Sequence, residues 1–330
     1  MPITEKENYL RMMRGEMPEW VPRMMMMGGR RFGPRLMGFP EPGVLEFTDV
    51  FGVPFIVEPN SGPIPKNDKF ILDDIRKWRD VIKRPAVLDD INWEQIAKED
   101  MEEYDPETHI ISGGGSLGNG YFMNLMAWMG FTNGLIACME EPDEVKDLLN
   151  FLCDMNCELS YNFLDHYRPE TFGIADDIAH ERAMFVSEDV FVDIFKPMWA
   201  RQIKPYKDAG IPVSHHICGN IDYLPKHLVE IGITAWNPAQ PTENDLPGIK
   251  AEFGRKLAIC GGFEGNGPVC YPETTEEEVR AYVREVMDEL APGGGFGFGG
   301  GIVGPRESEF VAERMGWIND EYEKNKYKYY

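Results

Sequence analysis

His216-Ile217-Cys218 sets an imidazole and a thiol two residues apart. Alternation along a strand brings residues i and i+2 to one side, so both can converge on one borderline or soft cation, zinc being the natural choice. A catalytic zinc takes three protein ligands and keeps one position open. Cys260 and Glu264 are the leading sources of the third. The plainer reading makes His216 a hydrogen-bonded core histidine and Cys218 a small apolar filler.

Other reactive groups fall at comparable places. Asp176 and Asp177 follow the apolar run Phe172-Gly173-Ile174-Ala175, and Asn220 follows the His-x-Cys pair. Asn237 and Gln240 follow Ala235-Trp236, and Glu264 follows Ile259-Cys260-Gly261-Gly262-Phe263. Adjacent strand residues point opposite ways, so one of Asp176 and Asp177 faces the site as a catalytic carboxylate and the other caps or supports. Tyr121 and Asn124 belong to an aromatic and amide cluster that lines the same place or packs its helix. The run Met24-Met25-Met26-Met27 offers flexible thioethers to a flat apolar ligand, with core filling as the alternative. Gly113-Gly114-Gly115 and Gly299-Gly300-Gly301 suggest close backbone approach, but neither ends in the Gly-Lys-Ser/Thr of a nucleotide loop.

The elements that position these groups are short apolar runs alternating with longer helical patterns. The runs are Val21 to Met27, Val53 to Val57, His109 to Ile111, Thr171 to Ala175, Ile211 to Ser214, Ile233 to Trp236, Leu257 to Cys260 and Phe296 to Phe298. Helical segments span Pro142 to Tyr167, Ser187 to Ala209 and Thr274 to Leu290, the last two opening on a hydroxyl followed by acids, as an N-cap demands. Strand and helix alternating at this pace make a parallel sheet, and eight strands without a dinucleotide loop predict an α/β (β/α)8 TIM barrel. A single barrel domain is expected over residues 1–330, with an N-terminal loop-rich extension at 30–70. The polar residues named above then share the C-terminal mouth, where such barrels carry their active sites. The tail Lys324 to Tyr330 reads as a surface extension or a partner contact.

Composition narrows the partners. The 330 residues carry a formal charge of −23, which repels phosphate backbones and anionic lipid and disfavours nucleic acid or a membrane surface as partner. No stretch approaches the roughly 20 apolar residues of a membrane span. The N-terminal residues lack the order of a signal peptide, so a cytoplasmic location is expected, with the six cysteines reduced.

The order of landmarks resembles the uroporphyrinogen decarboxylase superfamily, and within it the corrinoid (cobalamin)-dependent methyltransferases more than the decarboxylase. The matching segments run from Asp49-Val50-Phe51-Gly52-Val53 through Met129-Gly130-Phe131-Thr132-Asn133, Ala175-Asp176-Asp177-Ile178 and Phe195-Lys196-Pro197 to His216-Ile217-Cys218-Gly219-Asn220, Asn237-Pro238-Ala239-Gln240-Pro241 and Ile259-Cys260-Gly261-Gly262. The resemblance implies a (β/α)8 barrel. In the decarboxylase, two arginines of an N-terminal motif bind propionates; here Arg30 matches the second, while Met26 stands in place of the first. A pocket that exchanges a cation for a thioether is poorly suited to a polyanion. In the methyltransferases a His-x-Cys pair and a later Cys hold zinc. His216 and Cys218 match the pair, but Phe298 to Val303 contains no Cys, which leaves Cys260 or a carboxylate such as Glu264 as the replacement, or no metal.

Together these imply a methyltransferase that moves a methyl group between a small-molecule methyl donor, an aryl methyl ether for example, and a corrinoid supplied by a partner protein. Zinc on His216, Cys218 and Cys260, or an acid among Asp176, Asp177 and Glu264, would activate the leaving group. Met26, Arg30, Tyr121, Asn124, Asn220, Asn237 and Gln240 are the expected substrate-binding residues. The alternatives are a metal-free decarboxylase-like enzyme acting on a carboxylated ring and a barrel that binds a corrinoid or aromatic ligand without turnover.

Overall fold

The computed structural model describes residues 3–24, 32–34, 36, 43–57, 63–66, 69–113, 117–118, 120–302, 304 and 308–330. Its strands are β1 (Glu46–Thr48), β2 (Pro54–Val57), β3 (Pro63–Pro65), β4 (Ser112–Gly113), β5 (Thr171–Ala175), β6 (Ala179–His180), β7 (Ala183–Met184), β8 (Val213–His216), β9 (Ala235–Ala239), β10 (Ala258–Gly262) and β11 (Phe296–Gly299). Six of them form one parallel sheet in the order β11-β10-β9-β8-β5-β4. A parallel bridge between Arg23 and Phe298 adds the first predicted strand at the β11 edge, so the earliest segment of the chain lies beside the latest. Neighbours in sequence order with first beside last is the arrangement of a (β/α)8 barrel. Among the described residues no ladder joins the Arg23 segment to β4.

One expected barrel strand is corrected. Residues 54–57 pair antiparallel with β1 and β3 in a separate three-stranded sheet. Pro54, Pro63 and Pro65 lack the N–H that a central barrel strand must donate, and proline is tolerated only at strand edges and ends.

The helices follow their end signals. Pro142–Tyr167 has the predicted bounds, with proline in its first turn. The predicted segment from Ser187 begins with Ser187 accepting the N–H of Val190, passes through a π turn at Phe191–Phe195 and continues as Lys196–Asp208. Glu276–Leu290 is opened by a reciprocal capping box between Thr275 and Glu278. No single described helix is long and apolar enough to cross a membrane. The apolar helices Tyr121–Met129 and Phe131–Glu140 meet at a 112° bend, and the first is almost wholly buried in the core.

One large buried cluster runs from Val21 to Tyr322. A small second cluster (Tyr9, Leu10, Met12 and Met13 of the helix Glu5–Met13 against Ile110, Ala235, Ala258 and Cys260) plugs the end at which β9 and β10 begin. The C-terminal tail is no loose extension. Val21 N–H donates to Lys326 O at 3.0 Å, and the Tyr329 hydroxyl donates to Asp288 at 2.7 Å. The buried Tyr322 hydroxyl donates to Val21 O at 2.7 Å, fixing the strand that leads into the methionine run. Tyr322→Phe should therefore cost about 1–2 kcal/mol in denaturant unfolding, because a buried carbonyl loses its donor.

Candidate metal centre

β8 ends on His215-His216, and its pleat turns the two rings to opposite sides. His215 is fully buried against Trp199, ring centroids 4.2 Å apart, while His216 is half-buried. The chain leaves the strand through Ile217 and returns Cys218 to the side of His216, Sγ 3.5 Å from Nε2. Gly219 lets the loop turn there: its φ is +92°, and a Cβ would stand 2.7 Å from the His180 carbonyl oxygen. Gln240 Oε1 accepts the Gly219 N–H at 2.7 Å, and Asn244 Nδ2 donates to the carbonyls of Gly219 and Gln240 at 3.0 Å each.

Asp177, at the exit of the neighbouring strand β5, completes the group. Its Oδ1 accepts the Cys218 N–H at 2.8 Å, and one donor atom from each of Asp177, His216 and Cys218 lies within 4.8 Å of the others. Asn237 Oδ1, midway along β9, stands 3.0 Å from His216 Nδ1. With Nδ1–H donating to that amide, Nε2 presents its lone pair towards Cys218, as for a metal-bound histidine oriented from behind. The donor set fits zinc: a tetrahedral ion with Zn–S of about 2.3 Å and Zn–N of about 2.0–2.1 Å has an S···N edge of about 3.5 Å. One thiolate and one carboxylate also neutralise a dication. Burial first, then the Asp177 and Glu243 carboxylates, push the Cys218 thiol up to about 12.

Asp176 serves the fold. It is 1% exposed, and its carboxylate accepts the N–H groups of Tyr121 and Phe122 at 3.0 Å, that of Met123 at 3.1 Å and the Trp199 indole at 3.1 Å. An anion on the first amides of the helix Tyr121–Met129 meets the positive end of its dipole. Gly120 makes room for it, at φ +104° with a would-be Cβ 2.3 Å from the Ala175 carbonyl oxygen. Burial pushes the Asp176 carboxyl up to about 7, against the pull of its amide and indole donors.

The other residues expected at the mouth make contacts of their own. Cys260 does not join His216 and Cys218: it stands midway along β10, in the small buried cluster that holds Met12, Met13 and Ala258. Burial pushes its thiol up to about 12. Glu264 is held in its own loop, Oε2 accepting from Thr242 at 2.7 Å and Oε1 from the Asn266 N–H at 3.0 Å. Asn220 closes a turn by accepting the Asp222 N–H. Tyr121 points into the core and donates to Gln202 Oε1 at 2.8 Å. Asn124 staples the preceding loop through Leu117 O and Gly120 O and lines a small pocket of about 60 Å³ with Asp49. Met26 and Arg30 lie outside the described residues. Sequence reading missed Asn244, for which no spacing signal exists. It also missed a cavity of about 450 Å³ lined by Met123, Met126 and Met129 with Phe70 and Phe131. Those methionines are visible at helical spacing, but so are those of any buried helix.

Two outcomes test this geometry. Asp176→Ala leaves four buried donors without an acceptor and should lower unfolding free energy by about 3 kcal/mol or more, and Gly120→Ala should be similarly damaging. Burial lowers His215 to about 3. The unfolded chain therefore takes up a proton that the folded chain refuses between about pH 6.5 and 3, and stability falls as pH falls through that window. In His215→Asn, whose amide can still donate to the His216 carbonyl, the slope of unfolding free energy against pH should flatten there by about one proton, or about 1.4 kcal/mol per pH unit. An unchanged slope contradicts the neutral, buried imidazole.

Comparisons with known proteins agree with this architecture. No curated protein matches the chain. A solved methyltransferase from Methanosarcina mazei superposes with a TM-score of 0.63 over 98% of this chain and 99% of its own, at 15% identity, and so shares the fold. The sequence profile of the family "Uroporphyrinogen decarboxylase (URO-D)" matches residues 44–311, taking in β5, β8, β9 and β10 with every residue of the Asp177, His216 and Cys218 group. The chain belongs to the uroporphyrinogen decarboxylase family.

Proposed function

We propose that this chain is a methyltransferase that takes the methyl group of a small methyl ether and passes it to a corrinoid held by a partner protein, with zinc on Asp177, His216 and Cys218. The observation that carries the reading is the mixed oxygen, nitrogen and sulfur donor set with its imidazole oriented by Asn237. The fold shared with a solved methyltransferase supports it.

The composition of the set favours an oxygen-bearing substrate. A site of several thiolates carries net negative charge and suits activation of an incoming thiol. One thiolate and one carboxylate leave the ion neutralised and more electrophilic. Bound there, zinc supplies Lewis acidity to the ether oxygen, offsetting the basicity that makes an alkoxide or phenolate a poor leaving group. The protein's own residues do the positioning. Asn237 fixes the tautomer and ring plane of His216, Asp177 holds the Cys218 amide, and Gln240 with Asn244 clamps the loop at Gly219. The methionine-lined cavity between the β1–β3 sheet and the helix Tyr121–Met129 offers an apolar surface.

Equilibrium dialysis against zinc should show His216→Ala and Cys218→Ala each losing one equivalent relative to the natural chain. Asn237→Ala should retain the site with affinity weakened about 10–100-fold. For the activity, the chain is incubated with a phenyl methyl ether and reduced cobalamin, and methylcobalamin is read by its absorbance. Formation by the natural chain and loss in Cys218→Ala is the expected result. Methylation of a thiol from methylcobalamin, with no transfer from any ether, would overturn the ether reading.

A further inference from the structure

Away from the mouth, the helix Pro142–Tyr167 carries Cys153 and Cys157 one turn apart, facing the helix Lys196–Asp208. Their Sγ atoms are 3.8 Å apart. Cys153 is fully buried and Cys157 is half-buried, so the pair is reachable from one side. The facing helix contains Pro205. Proline has no N–H, so the carbonyl four residues earlier, that of Arg201, lacks its helical donor. Cys157 Sγ lies 3.8 Å from that oxygen, and Cys153 Sγ lies 3.7 Å from Met198 O.

The two separations at Cys157 match edges of a coordination shell. A tetrahedral zinc with Zn–S of about 2.3 Å has an S···S edge of about 3.8 Å, and an S···O edge of about 3.6 Å. A disulfide needs its Cβ atoms about 3.5–4.5 Å apart, whereas residues four apart on a helix hold theirs at about 5–6 Å. An ion can bridge the two sulfurs on an undistorted helix where a direct bond cannot.

We propose that Cys153 and Cys157 form a second metal site, taking a divalent d10 cation such as Zn²⁺ or Cd²⁺ on two thiolates and the Arg201 carbonyl oxygen. Two protons leave the thiols as two metal–sulfur bonds form, and the pair of thiolates neutralises the ion, so no net charge is buried. The site ties two helices on the outside of the barrel and is independent of the centre at the mouth.

Cadmium titration of the full chain tests it, read by thiolate-to-cadmium ultraviolet absorption and by proton release in weak buffer. In His216→Ala/Cys218→Ala, which disables the mouth, about one Cd²⁺ should still bind and release about two protons, and adding Cys157→Ala should abolish both signals. In the otherwise natural chain, Cys157→Ala should lower the stoichiometry by about one, which gives a reading free of any disturbance at the mouth. The proposal is overturned if His216→Ala/Cys218→Ala gives no thiolate absorption, or if the absorption survives Cys157→Ala. Failure of the mouth centre would appear separately, as natural chain and His216→Ala/Cys218→Ala binding the same amount.

Discussion

The pleat of two neighbouring strands decides what each polar residue at the barrel mouth does. β5 and β8 run parallel in register, Ala175 beside His216; β8 ends on His215-His216, and Asp176-Asp177 follow directly on β5. In both pairs one member turns inward to serve the fold and the other turns outward to the site. Asp176 binds the first amides of the helix Tyr121–Met129, while Asp177 joins the donor group. His215 packs on Trp199, while His216 meets Cys218. Trp199 links the two inward members, its indole donating to Asp176 and its ring lying on His215. A one-residue slip of either strand would exchange these roles and remove the centre.

The inward members are costly and are held accordingly. A carboxylate almost without exposure is tolerable only because three amides and an indole converge on it, and that convergence fixes the helix after β4 against the end of β5. His215 is kept neutral and donates to the carbonyl of its neighbour at 3.1 Å. The outward members are thereby mounted on rigid elements, as any preorganised site requires. The amides of β9 and the loop beyond it add the orienting contacts.

Much of this is legible in the sequence, and the limits have physical causes. The helix Pro142–Tyr167 and the strands β5, β8, β9, β10 and β11 follow from periodicity and caps, because those signals are local. Equally visible are the His216 and Cys218 pair and the rule that only one of two adjacent acids faces the mouth. Depth along a strand is not. Cys260 stands midway along β10 in the cluster that the first helix covers, outside the group of Asp177, His216 and Cys218, and spacing alone does not say how deep a residue stands. The strand expected at Val53 to Val57 fails as a barrel strand because its alternation is that of any half-buried strand, whatever sheet it joins. The oxygen donor of the candidate group is Asp177, a residue whose type suits acid chemistry equally well, since ligand and acid differ only in what lies nearby.

Zinc-edge X-ray absorption tests the donor set most directly. It is best made on the Cys157→Ala chain loaded with one equivalent, where the second site cannot contribute. One sulfur at about 2.3 Å with the remaining ligands nitrogen and oxygen at about 2.0–2.2 Å is the outcome the account predicts. Two or more sulfurs, or a shell of oxygen alone, would contradict it.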